Sequence, residues 1–224
     1  HDVPEDTEVT LEDIEKNFGS DIASLVRGIT KLGKLKYRGV ERYIENLRKM
    51  FVAMAEDARV MLIKFADRVH NLTTLGSLPP QKQYRIALES LEIYAPIAGR
   101  LGIAEMKGQL EDLSFRYVYP KEYARVKNIR TEKLQGKEGY IDTVRTHAKE
   151  EIASAGVTIC SIEGREKRLF SFYQKLIRKD NKMARIYDLV AIRIIVPSVA
   201  DCYAVLGVLH KVWKPVKGRI KDYI

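Results

Sequence analysis

Cysteine is almost missing from this chain: Cys160 and Cys202 are the only two among 224 residues. Two cysteines cannot build a disulfide framework, so the disulfide-stapled secreted class is excluded and a reducing, intracellular (cytoplasmic) setting is the expectation. No apolar run is long enough to cross a bilayer as a helix, and the start carries no secretory-leader pattern. Internal repeats and low-complexity tracts are also absent. What is present is a hydrophobic fraction of 46% and a charged fraction of 31%. That suffices for the core of one large domain or two small ones.

The net charge is +9 but unevenly spread. Residues 1–21 are acidic, with Lys16 as their only base, while residues 161–186 are mainly basic and residues 211–221 hold bases without an acid. An acidic start suits a metal site and basic late segments suit phosphates. Solvated helix faces are the plainer explanation of both. The chain opens on His-Asp and stops at Asp222-Tyr223-Ile224 in what reads as a loop, so it reads as an excerpt of a longer protein.

Periodicity predicts helices for most of the length. Residues 8–32 carry Leu11, Ile14, Phe18, Ile22, Leu25, Val26 and Ile29 at helical spacing, with Thr10 and Asp13 as a capping pair. Residues 31–39 read as a basic loop. Residues 40–74 read as one long helix or two, on a stripe of Phe51, Met54, Ala58, Leu62, Phe65, Val69 and Leu72, ended by Gly76 and Pro79-Pro80. Two more helices follow over 81–98 and 100–115, broken near Pro96 and Gly99, then a charged helical stretch from Pro120 to about 154 with a weak point at Gly136 and Gly139. Past Gly156 the pattern changes to strand (157–162), helix (167–179), strand (189–196, interrupted by Arg193) and helix (199–213). Alternation of that kind predicts a separate α/β domain from about residue 155.

Two groups of residues carry chemistry. His1, Asp2, Glu5 and Asp6 form H-D-x-x-E-D. Adjacent His and Asp offer N and O donors to a divalent cation, and two carboxylates one turn later can hold or deprotonate a water. The competing reading is an acidic helix start that favours the helix dipole. Asp67, in K-F-A-D-R-V-H-N, interrupts an apolar helix, where a carboxylate is costly unless it is paired or binds a cation. Asp67, Asn71 and Thr74 share a face at i, i+4 and i+7; neighbouring Arg68 does not face Asp67, and His70 at i+3 reads as a satisfied core histidine ahead of an extra ligand. Further on, Gly164-Arg165-Glu166-Lys167 with Ser171, Tyr173 and Lys175 gives G-R-x-K-x-x-x-S-x-Y-x-K. On a helix starting near Lys167, Lys167, Ser171 and Lys175 align as two ammoniums and a hydroxyl, either a triphosphate cradle or an ordinary basic surface. Asp188 opens the apolar strand that holds Arg193, a plausible place for a Mg²⁺ ligand.

HDVPEDT followed about sixty residues later by KFADRVHN, with T-K-L-G-K at residues 30–34, resembles the hydrolase part of the RelA/SpoT family. The later G-R-x-K motif, D-C-Y-x-x-L-G-x-x-H and P-V-K-G-R-I-K-D-Y-I resemble its synthetase part, and residues 83–123 look like its linking helices. Pro4 and Gly99 depart from the family, which usually has an aliphatic residue or Thr at the first position and larger polar residues at the second.

The resemblance implies a bifunctional enzyme of (p)ppGpp. By resemblance, His1, Asp2 and Asp67 ligate Mn²⁺, Glu5 and Asp6 activate water, and Asn71 and Thr74 contact the nucleotide. In the synthetase part, Arg165 stacks on the ATP adenine, Lys167, Ser171 and Lys175 bind its phosphates, and Asp188 binds Mg²⁺. Arg219, Lys221 and Asp222 form R-x-K-D, whose basic form marks the bifunctional branch. The implied reactions are loss of the 3′-pyrophosphate from ppGpp and pppGpp, and pyrophosphate transfer from ATP to GDP or GTP. A further metal-binding His and a guanine-stacking base belong before His1 in the family, and a guanine-stacking Tyr and a catalytic Glu after Ile224. This span alone is therefore expected not to complete the transfer. No membrane partner is expected, and ribosome or tRNA contacts would come through other regions. Linking helices that let one site work while the other is held off are a further family expectation.

The fold class expected is α+β: a mostly helical HD-domain portion (1–82), connecting helices (83–155), then a partial mixed α/β nucleotidyltransferase-like synthetase domain (156–224). An HD-type phosphohydrolase acting on another nucleotide is the alternative, but it leaves G-R-x-K and R-x-K-D unexplained. A nucleic-acid-binding module, motivated by the charge, predicts steep salt dependence and leaves Asp67 without a role.

Overall fold

A computed structural model of the protein describes residues 1–33, 48, 50–135, 139–179 and 190–223. It is mainly helical with one small sheet, and it divides into two units, His1–Val118 and Tyr119–Ile224.

In the first unit a single turn, α1 (Val3–Asp6), precedes the long helix α2 (Leu11–Gly33). Pro4 is harmless in the first turn of α1, where its missing N–H has no helical acceptor. Thr10 and Asp13 cap α2 reciprocally: the Thr10 N–H donates to Asp13 Oδ2 at 2.9 Å and the Asp13 N–H to Thr10 Oγ1 at 3.2 Å. At Gly19 the backbone leaves the helical region (φ 85°) and α2 kinks. The kink resets the helical phase. Ile14, Ala23 and Val26 join one apolar cluster, while Phe18, expected in the core, is 66% exposed and Ile22 also faces out. The expected loop over 31–39 starts later, since α2 runs to Gly33, and its remainder lies outside the described residues.

The next stripe also changes phase. Asp57 stands between a helical stretch ending at residue 56 and α3 (Ala58–Thr74), and its side chain accepts from the Arg59 N–H. With that break, the buried face of α3 is Val60, Met61, Lys64, Phe65 and Leu72, while Leu62 is 49% exposed. Gly28 lets α2 approach α3, because a Cβ there would lie 2.8 Å from Val60 Cγ2.

The break expected near Pro96 and Gly99 is instead a widened turn and a later stop. Helix α4 (Pro80–Glu89) continues through a π-helical turn, Ser90–Tyr94, into α5 (Ala95–Arg100). Proline lacks an N–H and its ring crowds the preceding turn, which a wider turn relieves. Gly102 (φ 77°) then ends α5 in a Schellman arrangement, with Ile103 N–H bonded to Ala98 O and Gly102 N–H to Gly99 O. At Gly99 a Cβ would sit 3.0 Å from the Lys107 stem, which gives the unusual glycine a packing role. Helix α6 (Ala104–Val118) packs against α3, α4, the π turn and α5, and its Leu110 and Phe115 are fully buried.

In the second unit, α7 (Pro120–Leu134) and α8 (Tyr140–Ser154) flank the expected weak point, where Gly139 has a positive φ. A second Schellman arrangement at Gly156 stops α8 where the pattern change was expected. Strand β1 (Ser161–Glu166) pairs antiparallel with β2 (Val190–Ile195), and α9 (Leu169–Arg178) lies between them in sequence. β1 therefore starts four residues later than expected and absorbs Gly164-Arg165-Glu166, because the ladder runs from Ser161↔Ile195 to Glu166↔Val190. Helix α8 packs on both strands, and a Cβ at Gly164 would overlap the Ile141 side chain. Alternate residues of β2, Ile192 and Ile194, are half-buried, while Arg193 and Ile195 are exposed. The strand expected to be apolar except at Arg193 thus has one open face: Arg193 stands on it, opposite Glu163 in the register, and needs no interior partner. Phe170, Phe172 and Leu176 bury α9, which packs on α7. Helix α10 (Val199–Val212) packs on α8 and is capped by Ser198 with Asp201.

Candidate functional site

On α1 the Asp2 carboxylate sits at the helix N-terminus yet makes no capping bond. It turns to His1, whose Nε2 lies 3.1 Å from Asp2 Oδ1. Glu5 and Asp6 follow on the same turn, both exposed. The nitrogen and oxygen donors of H-D are therefore side by side, with two carboxylates one turn away.

Asp67 projects from the half-buried side of α3. Its Oδ2 accepts from Lys64 Nζ at 2.8 Å and its Oδ1 from Asn71 Nδ2 at 2.9 Å. Lys64 and Asp67 side chains are only 11% and 15% exposed. The carboxylate is thus already paired, as its interior position requires. Lys64 was not among the residues read from the sequence, although its i−3 spacing from Asp67 is the signal that would find it. Thr74 shares the face, with its hydroxyl donating to His70 O at 3.2 Å. His70 itself is exposed, so the expected core histidine is corrected; helix phase turns it to the side away from Phe65 and Leu72.

Arg68 points elsewhere, as adjacent helix positions must. Its Nη2 is 3.3 Å from Glu89 Oε2, its guanidinium carbon lies 4.5 Å from the Tyr94 ring centroid, and Nη2 also reaches Tyr94 Oη at 3.4 Å. Burial pushes the Glu89 carboxyl above its usual range, with Arg68 and Arg85 pulling the other way.

Among the described residues no three His, Cys, Asp or Glu side chains gather as a ready metal cage. His1 and Asp2 come together; Asp67 is held by its own helix. In donor chemistry the set fits a borderline-hard divalent cation: one imidazole nitrogen and carboxylate oxygens, with no thiolate. Cys160 and Cys202 are exposed, free thiols outside this set.

The second constellation is an open cleft of about 670 Å³ in the second unit. Lys167, Ser171 and Lys175 line it together, as expected, but not from one helix: Lys167 lies in the two-residue link before α9, because β1 pairing extends to Glu166. Arg168, Gln174, Arg178 and Lys179 line it as well, and Ala191 of β2 closes one side. A cleft this size suits a nucleotide, and cations along it suit its phosphates. The extra cations were missed because only Lys167, Ser171 and Lys175 match the motif; the run of bases at both ends of α9, Arg168 before it and Arg178-Lys179 at its close, was the available signal. Arg165 lies on β1 opposite Ala191. Asp188 lies outside the described residues.

Arg219 and Lys221 lie in an exposed C-terminal stretch, after a turn at Gly218. Asp222 is tied to α10, where Tyr203 Oη donates to its Oδ2 at 2.9 Å. That bond is the main cause holding the Tyr203 hydroxyl above its ordinary pKa. Among the described residues no helix is long and apolar enough to cross a membrane.

Comparison with known proteins covers both constellations. Residues 1–104 match the HD domain, and residues 164–224 match the region found in RelA and SpoT proteins. Over its whole length the chain is 45% identical to a probable guanosine-3′,5′-bis(diphosphate) 3′-pyrophosphohydrolase of Synechocystis, of which it covers 30%. It is 46% identical to the bifunctional (p)ppGpp synthase/hydrolase SpoT of Escherichia coli K12, covering 32% of that protein, and 46% identical to a GTP pyrophosphokinase of Streptomyces coelicolor, covering 26%. The chain spans between 26% and 32% of the length of these relatives.

Proposed function

The chain belongs to the RelA/SpoT family, and from that premise we propose that it works in (p)ppGpp metabolism. Its first part removes the 3′-pyrophosphate of ppGpp and pppGpp. Its last part serves pyrophosphate transfer from ATP to GDP or GTP. The observation that supports this reading most is the presence in one chain, in this order, of an H-D-x-x-E-D turn, a half-buried Asp67 and a cation-lined cleft around Lys167, Ser171 and Lys175. The functional parts are 1–82 (hydrolase), 83–155 (connecting helices) and 156–224 (synthetase), in a cytoplasmic enzyme.

In the hydrolase part, His1, Asp2 and Asp67 would hold Mn²⁺. When bound, the cation supplies neutralisation of phosphate charge and a more acidic water. Glu5 and Asp6 accept the proton of the water that attacks the 3′-linked phosphorus; the bond from that phosphorus to the ribose 3′-oxygen breaks, the oxygen takes up a proton and pyrophosphate is released. Asn71 orients Asp67 through one N–H and keeps its carbonyl oxygen for the nucleotide. Thr74, whose hydroxyl donates to backbone, keeps its acceptor lone pairs. In the synthetase part, Lys167, Ser171 and Lys175 neutralise and orient ATP phosphates, Arg165 stacks on adenine, and Arg219 and Lys221 bind nucleotide. Asp188 would hold Mg²⁺.

The test is release of pyrophosphate from ppGpp by the full protein, with and without Mn²⁺, beside its Asp67→Ala variant. Release that needs both Mn²⁺ and Asp67 is the expected result. Release that is indifferent to Asp67 would remove the metal-ligand assignment. No release at all, with ppGpp synthesis intact, would reduce the first part to a regulatory domain.

A further inference from the structure

The contacts of Asp67 with Lys64 and Asn71 both lie within α3. They shape the carboxylate but do not determine which way the helix turns it. Apolar burial of Phe65 and Leu72 holds α3 in place, yet such contacts are non-directional and tolerate small rotations. Directional ties also hold α3 at its start, where Arg59 meets Asp21 of α2, and at the Leu72 carbonyl, which accepts from Arg116, but the one adjacent to Asp67 is made by the very next residue, Arg68.

We propose that Arg68 is a positioning residue for Asp67, fixing the rotation of α3 through a buried clamp with Glu89 and Tyr94. Arg68 follows Asp67 by one position, about 100° around the helix, so anchoring one side chain sets the direction of the other. The anchor is stiff. Arg68 and Glu89 side chains are each 13% exposed, and Tyr94 is among the fully buried side chains. The guanidinium combines an ion pair at 3.3 Å, a stack at 4.5 Å and a hydroxyl contact at 3.4 Å. Only a planar, forked cation can make the three together, so lysine is not equivalent here. The partners flank an unusual element: Glu89 ends α4 and Tyr94 ends the π turn. π turns often occur at functional positions, where the extra residue re-aims side chains. Here the turn brings Tyr94 under Arg68.

This role rests on Asp67 being a metal ligand, and the experiment separates the two. Mn²⁺ binding to the full protein is followed by the electron paramagnetic resonance signal of the free ion, at a temperature where circular dichroism shows every variant folded. Asp67→Asn, Arg68→Lys, Glu89→Gln and the double variant Arg68→Lys/Glu89→Gln are compared. Asp67→Asn is expected to weaken Mn²⁺ most. Arg68→Lys and Glu89→Gln should each weaken it by about 10-fold, the lower end of what supporting residues cost a metal site. The double variant should lose little more than the worse single one, because both act through one clamp. Should Arg68→Lys fail to fold, Glu89→Gln decides. Unchanged affinity in the clamp variants, with loss in Asp67→Asn, would overturn the role of Arg68 and leave the metal site standing. Unchanged affinity in Asp67→Asn would remove the metal site and the positioning role with it.

Discussion

On α3 one carboxylate, 15% exposed, meets Lys64 at 2.8 Å and Asn71 at 2.9 Å, whereas beside α9 several cations surround about 670 Å³ of open space. The first arrangement concentrates its chemistry in single, half-buried side chains whose charges must be matched locally. The second spreads it over Lys167, Arg168, Lys175, Arg178 and Lys179, which water already solvates in part. Buried charge is costly and specific; distributed surface charge is cheap and tolerant. Removing one residue should therefore be catastrophic at the first site and graded at the second.

Asp67→Ala should show the largest effect, a fall in ppGpp hydrolysis of at least about 100-fold, since even residues that only support a metal ligand can cost that much. Synthesis assayed in the same preparation should be unchanged. Next comes Lys64→Met. It leaves Asp67 half-buried without its cation, which predicts about 3 kcal/mol of lost stability by denaturant titration; a neutral result would mean that Asp67 reaches solvent more freely than the 2.8 Å pair implies. At the open cleft, Lys175→Ala should weaken ATP binding by about 10-fold, the value of one charge-assisted contact. Raising the salt should weaken it further there, because exposed charges are screened within about 8 Å at physiological ionic strength. The smallest effect is expected at Arg59, which pairs with Asp21 and Asp57 on the surface and holds both carboxyls below their usual range. Lowered values favour the fold above about pH 4 and lose that contribution as pH falls through them. Arg59→Gln should lower the melting temperature slightly at pH 7, and its difference from the parent should vanish as pH falls well below 4.

Much of this comparison was legible in the sequence. The Thr10–Asp13 cap, the long helices and the strand–helix–strand change after Gly156 follow from spacing alone and appear in the structure. Fine phase was not legible. The stripe through Leu62 ran in a single phase from Phe51 to Leu72, and the N-cap at Asp57 shifted it; Phe18 left the core because Gly19 bends α2. The strand containing Gly164 began later than hydrophobicity alone suggested, because strand pairing follows the partner's register as much as apolar content. At the sites, motif residues such as Asp67 and Lys175 stood out by type and context. The clamp of Arg68 with Glu89 and Tyr94 did not, because it depends on which helices pack together, whereas Lys64 and Arg178 lay one turn from motif residues on the same helices and were open to helical spacing. Even the motif residue Asp201 takes a local part, closing the cap of α10 with Ser198.

Chemical independence of the two constellations is the expectation that separates them most sharply. It is tested most directly by assaying ppGpp hydrolysis and ppGpp synthesis side by side in the full protein, with Asp67→Asn and Lys175→Ala as separate variants. The account predicts a crossed result: Asp67→Asn loses hydrolysis and keeps synthesis, and Lys175→Ala does the reverse. Loss of both activities in either variant, with the fold intact, would contradict it.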